Sequence, residues 1–131
     1  MKQTLNQYQP YAQALLRIAV GYAFILHGTA KFFEFPVSMT DGNGAVPLFS
    51  LFGVAALLEL VFGALFLLGL KTRLAAFLLS GQMAVAYFMM HLSPFPMTNG
   101  GEAAYLFCFV FFYFIFAGSG AWALDNRLSK K

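Results

Sequence analysis

The chain has 131 residues, 60% of them hydrophobic and 10% charged, with a mean hydropathy of +0.72. A water-soluble globule of this size lacks the polar surface to cover 17 phenylalanines, so lipid is the expected solvent for most of the molecule. The net charge of +3 is distributed over segment ends, without the basic cluster that nucleic acid requires, and the single cysteine, Cys108, excludes Cys-x-x-Cys redox or zinc chemistry.

A helix that crosses a bilayer needs about 20 mainly apolar residues. The first such stretch covers about residues 11–33; its length, the interruption at Arg17 and the lack of a small-x-small cleavage site mark it as a mature helix and not a signal peptide. Residues 34–47 form an outer loop in which Pro36, Asp41-Gly42-Asn43-Gly44 and Pro47 favour turns. The second stretch spans about 48–70. The short turn Gly69-Leu70-Lys71-Thr72-Arg73 joins it to the third, about 72–92, as an antiparallel hairpin. Pro94-Phe95-Pro96 and Asn99-Gly100-Gly101 break the chain again before the fourth, about 102–122. The expected fold is all-α: a polytopic membrane protein forming an antiparallel four-transmembrane-helix bundle, with residues 1–131 as a single domain. Lys2, Lys71, Arg73, Arg127, Lys130 and Lys131 fall on one side and Lys31 on the other, so the positive-inside rule places both termini in the cytoplasm.

Ionisable groups inside a bilayer cost roughly 2.5–3.5 kcal/mol each, which singles out Arg17 and Glu59. Glu59 falls near the centre of the second segment and Arg17 about five residues, or roughly 7 Å, to the cytoplasmic side of the middle of the first, a gap that an extended guanidinium could bridge; such a pair either binds a polar head group and moves protons or fixes helix register. At 100° per residue, Arg17, Gly21, Phe24, His27, Gly28 and Lys31 share an arc of about 120° expected to look into the bundle. Gly21 and Gly28 permit close helix approach, and Phe52, Glu59, Gly63 and Phe66 form a matching face on the second helix. His27 in that crevice would exchange protons near neutral pH. His27 and His91 differ in expected depth by roughly 7 Å, a poor fit to paired axial ligation, so no metal site is expected.

Asn99 and Glu102 have the spacing of an N-cap and its N3 acid at the start of the fourth helix, with closure of a site beside His91 and Lys31 as the functional alternative for Glu102. Gln82 is a further candidate ligand-binding residue, or else an interhelical hydrogen-bonding one. The fourth helix carries more aromatic side chains than one face can hold, so some must meet lipid; an aromatic wall for an isoprenoid quinone is the alternative. Tyr8, Tyr11 and Trp122 read as interfacial anchors. Dinucleotide, P-loop, serine-elbow and His-Glu-x-x-His motifs are all missing from the sequence, so any cofactor is expected to be lipid-soluble or supplied by a partner.

The ordered pattern Arg17-x3-Gly21-x2-Phe24-x3-Gly28-x2-Lys31, Glu59-x3-Gly63-x5-Gly69-x2-Thr72-Arg73, Asn99-Gly100-Gly101-Glu102 and Gly118-Ser119-Gly120-Ala121-Trp122-Ala123-Leu124-Asp125 resembles the DoxX family of small bacterial inner-membrane proteins. Ser119 and Ala123 depart from a terminal motif that in the family commonly reads Gly-Pro-Gly followed by Ser-Leu-Asp. The resemblance implies a four-helix bundle in the plasma membrane, with Arg17, Lys31, Glu59 and Arg73 at the family's charged positions. It also implies a link to quinone-dependent redox systems or oxidative stress. The expectation is therefore a quinone-docking component that relies on an oxidoreductase partner, in which Arg17 and Glu59 polarise the head group and His27 relays protons. The rival expectation is a proton-coupled small-solute or lipid carrier, whose four helices a symmetric homodimer would double; a non-catalytic assembly factor is the third.

Overall fold

The computed structural model describes residues 2–36, 42, 44–45, 47–90 and 101–128. Among these residues the chain is all-helical: α1 (Lys2–Asn6), α2 (Gln9–Phe33), α3 (Leu51–Leu68), α4 (Thr72–Met90), α5 (Glu102–Ala117) and α6 (Leu124–Leu128). His91 and Asn99, and half of the 34–47 loop (residues 37–41, 43 and 46), lie outside the described residues.

Pro10 stands in the first turn of α2, where its missing N–H costs nothing, and Glu34 closes the helix in the left-handed conformation. Ser50 caps α3 through its side chain, which accepts from the Gly53 amide at 3.0 Å. At the other end, Gly69 adopts φ 73°; its amide reaches the Phe66 carbonyl at 3.1 Å and the Leu70 amide reaches Leu65 at 2.9 Å. This paired closure satisfies the orphan carbonyls of α3 and turns the chain directly into α4. α5 ends at Ala117, five residues short of the apolar run to Trp122, because Gly118 and Gly120 take positive φ and the chain leaves the helical path.

α2 packs on α3, α3 on α4, and α4 on α5. The register of the first pair can be read from its glycines. A Cβ at Gly21 would lie 2.8 Å from the Leu67 Cβ, one at Gly28 2.7 Å from the Leu60 side chain, and one at Gly63 3.1 Å from Ile25. Pairs 21–67, 25–63 and 28–60 advance in opposite directions at equal pace, so the helices are antiparallel and approach too closely for larger residues there. Phe24 closes the layout across to α5, with edge-on ring contacts to Phe107 and Phe111 at 5.6 and 5.1 Å. Phe66, Leu79, Phe111 and Phe114 complete the buried core.

Burial on α2 follows the expected arc at Arg17, Gly21, Phe24 and Gly28, with Lys31 partly covered; His27, at its edge, is exposed. Large apolar side chains are also exposed on every long helix, among them Leu57, Val61, Phe77, Phe88, Phe109 and Phe116. Of the described helices, α3 alone has both the length and the apolar composition of a membrane span, and α5 is comparably apolar but shorter.

Candidate functional site

The charged residues gather at two separate levels of the molecule. At the first, Arg17 is buried and donates from Nε to the Leu67 carbonyl at 3.2 Å, from Nη1 to the carbonyls of Ser119 and Ala121, and from Nη2 to Trp122 at 3.1 Å. Its fork thus holds the segment after α5 against the end of α3. Gln13 extends the clamp to the Gly118 carbonyl at 2.7 Å, and Arg73 donates to the carbonyls of Ile115 and Phe116 at the α5 terminus. Asp125 then caps α4: its carboxylate accepts from the amides of Lys71 and Thr72 at 2.7 and 3.0 Å. Desolvation opposes the charge of Asp125, but those amide bonds and the nearby Arg17 outweigh it and hold the carboxyl below its ordinary pKa.

The second level holds Glu59. Its Oε1 accepts from Lys31 Nζ at 2.6 Å and from Gln82 Nε2 at 3.1 Å, and Gln82 Nε2 also donates to the Ala55 carbonyl at 3.3 Å. The Glu59 and Lys31 side chains are 3% and 13% exposed. Glu59 therefore pairs with Lys31, and the expected Arg17–Glu59 contact does not form. The glycine register explains why. Arg17 lies level with the turn beyond α3, whereas Glu59 lies level with residue 29, about 12 residues or roughly 18 Å along α2. Aligning helix midpoints misplaced the pair because α2 continues past the end of α3.

Beside this triad, α3 and α4 part to leave a cavity of about 340 Å³. Lys31, Glu59 and Gln82 form its polar end; Phe52, Leu58, Leu78, Met83 and other apolar residues line the rest. Several walls, including Phe52, Val54, Val85 and Met89, are exposed on the outer surface, so the cavity opens sideways between the two helices. Gly81 forms part of its rim, where an added Cβ would meet nothing within 4 Å.

The other sequence candidates fall elsewhere. Gly21, Gly28 and Gly63 serve the α2–α3 contact, and Phe24 is core. His27 packs its ring against Phe24 and Phe107 at 5.9 and 6.0 Å and does not line the cavity. Glu102 is the first residue of α5, whose N-cap is Gly101, so it cannot be the N3 acid of a capping box; it is exposed and also away from the cavity. None of the crowded α5 aromatics lines the cavity; Phe111 and Phe114 fill the core while Phe109, Phe112 and Phe116 face outward. Tyr11 and Trp122 meet in a tilted ring contact, centroids 5.2 Å apart, on the surface near the Arg17 clamp. Among the described residues, no three His, Cys, Asp or Glu side chains gather closely enough to hold a metal ion.

Sequence reasoning overlooked the role of Asp125. The available signal was an acid following a glycine-rich turn, with the free amides of Lys71 and Thr72 needing a cap.

Large apolar side chains exposed on every long helix, together with one helix, α3, of span length and apolar composition, suit a protein that faces lipid. The DoxX family model matches residues 12–92. An uncharacterized protein of Haemophilus influenzae is 55% identical over 134 residues, covering 97% of this chain and 98% of that protein. A protein of Mycobacterium tuberculosis described as an uncharacterized membrane protein is 28% identical, over 93% of this chain and 84% of its own length. No solved structure matches the chain. The chain belongs to the DoxX family and is a membrane protein.

Proposed function

We propose that the protein binds a quinone-like lipid in the cavity between α3 and α4, as the docking component of a quinone-linked redox system that relies on an oxidoreductase partner. The observation that carries this reading is the cavity itself: an apolar slot open to the side, ending in Lys31, Glu59 and Gln82. Its volume lies in the range of small-ligand sites, and a few convergent polar groups in an apolar lining are what fix the orientation of such a ligand. A lipid-soluble molecule reaches the slot from the hydrocarbon without crossing water, and Glu59 is placed to exchange a proton with its head group.

The four long helices then form an antiparallel four-transmembrane-helix bundle, with their exposed apolar side chains against lipid. Lys71, Arg73 and Arg127 support a cytoplasmic position for the end that holds the Arg17 clamp, and hence for both termini. The test is mass spectrometry of lipids that co-purify with the mildly solubilised protein, comparing wild type with Glu59→Gln at matched folding and yield. Stoichiometric quinone in the wild type, depleted in the variant, is expected; no specific lipid in either sample would overturn the proposal.

A further inference from the structure

A second cavity, of about 580 Å³, lies at the clamp end of the molecule, where α4 begins and α5 ends. It shares no lining residue with the slot between α3 and α4. Lys71, Thr72, Arg73 and Leu74 line it from α4 and the turn before it, and Gly118-Ser119-Gly120 from the segment after α5. Arg73 uses Nη1 on the carbonyls of Ile115 and Phe116. The Nε–Nη2 edge of the same guanidinium has no hydrogen-bond partner among the described residues. It lies over Gly118, where a Cβ would come within 3.0 Å of Nη2 and 3.6 Å of Nε. A side chain at residue 118 would cover that edge, and glycine leaves it open. Two parallel N–H groups in this geometry take two oxygens of one anion at once.

The charge around that edge favours an anion. Lys71 is exposed, and its ammonium has no bond within the described residues. Asp125 is the acid among the lining residues, but its two oxygens already accept the amides of Lys71 and Thr72, and Arg17 lies near it. The apolar surroundings indicate what the anion is attached to. Leu74 and Phe77 are exposed on α4, with Phe77 one turn beyond Arg73 on the same face; Phe112 and Phe116 are exposed on α5, their rings in contact at 5.2 Å. An apolar strip therefore starts at the cavity and runs along both helices. A free phosphate gains nothing from such a strip, whereas acyl chains tethered to the phosphate do. Tyr11 and Trp122 sit at the same end, as aromatic side chains do at the depth of lipid head groups.

We infer that this cavity binds the phosphodiester of an anionic phospholipid, with Arg73 and Lys71 on its oxygens and its acyl chains along Leu74, Phe77, Phe112 and Phe116. A zwitterionic lipid is disfavoured, because it brings an ammonium toward the two cations.

The test is native mass spectrometry of the full chain in detergent, titrated with dioleoyl-phosphatidylglycerol or dioleoyl-phosphatidylcholine. One phosphatidylglycerol per chain should bind at least about tenfold more tightly than phosphatidylcholine, since the charge-assisted bonds find no repelling ammonium. Lys71→Asn should weaken it about fivefold, the worth of one cation near a membrane surface; asparagine accepts the φ of 51° at this position, and the Lys71 side chain holds no other contact. Arg73→Lys, which keeps the charge and loses the planar edge, should weaken it by about as much. Arg127→Gln removes an exposed cation at the same end that does not line the cavity, and should leave binding within about twofold. Should Arg73→Lys fail to fold, as judged by circular dichroism, Lys71→Asn against Arg127→Gln decides the matter alone. Equal binding of the two lipids, or equal weakening in Arg127→Gln and Lys71→Asn, would overturn the site. Displacement of phosphatidylglycerol by equimolar inorganic phosphate would overturn its assignment to a lipid.

Discussion

Replacing Lys31 with methionine leaves the Glu59 carboxylate, 3% exposed, with one remaining donor, the Gln82 amide at 3.1 Å. Breaking a buried ion pair by removing one partner costs about 3–5 kcal/mol. Adding Glu59→Leu to Lys31→Met removes the stranded charge, and the double variant should recover most of that loss. The pair should therefore show a coupling energy of about 2–4 kcal/mol. Arg17→Met combined with Glu59→Gln should instead be additive within about 0.5 kcal/mol, since the two groups are separated by roughly 18 Å along the helix and share no partner. The assay is reversible unfolding in mixed micelles at pH 7, followed by helical circular dichroism. Coupling below about 0.5 kcal/mol for Lys31–Glu59, or above about 1 kcal/mol for Arg17–Glu59, would refute the two-level arrangement of charges.

Gly69→Ala should destabilise by about 2–4 kcal/mol in the same assay, because alanine at φ 73° is strained and its Cβ would lie 2.4 Å from the Ala123 Cβ; Gly81→Ala, with open space around it, should stay within about 0.5 kcal/mol of wild type. Arg17→Lys should cost about 2–3 kcal/mol and shift the Trp122 emission, since an ammonium cannot reproduce a fork bonded to Leu67, Ser119, Ala121 and Trp122. For Asp125, whose folded pKa lies below the ordinary 3.8, the stabilisation by its charge is complete above that value and is lost as pH falls through the lower folded value. Wild type should therefore lead Asp125→Ala by about 1 kcal/mol at neutral pH, and a pH titration of both unfolding curves should show the gap narrowing only below about pH 4.

Much of this architecture was legible in the sequence because helical periodicity is a strong signal. Arg17, Gly21, Phe24 and Gly28 share a face at 100° per residue and are buried together, with Lys31 partly covered on the same side. Depth was not legible. Periodicity gives the direction in which a residue points and says nothing of how far one helix slides past its neighbour, and that slide decided whether Glu59 met Arg17 or Lys31. His27 shows the same method at its margin: a rotation of a few tens of degrees moves a residue at the edge of the arc from crevice to surface. The abundance of α5 aromatics drew attention to a wall that the cavity does not use. The cavity instead arises where α3 and α4 separate, and that depends on packing between helices and not on any motif. The clamp at the other end needed the folded path of residues 118–125, which no local propensity specifies.

The central claim is tested most directly by photolabelling with an azidoquinone in native-like nanodiscs, followed by peptide mapping. The account predicts labels on α3 between Leu51 and Glu59 and on α4 between Leu78 and Met89, both suppressed by Gly81→Leu. Labelling concentrated on the outward aromatics of α5, and unchanged by that substitution, would contradict it.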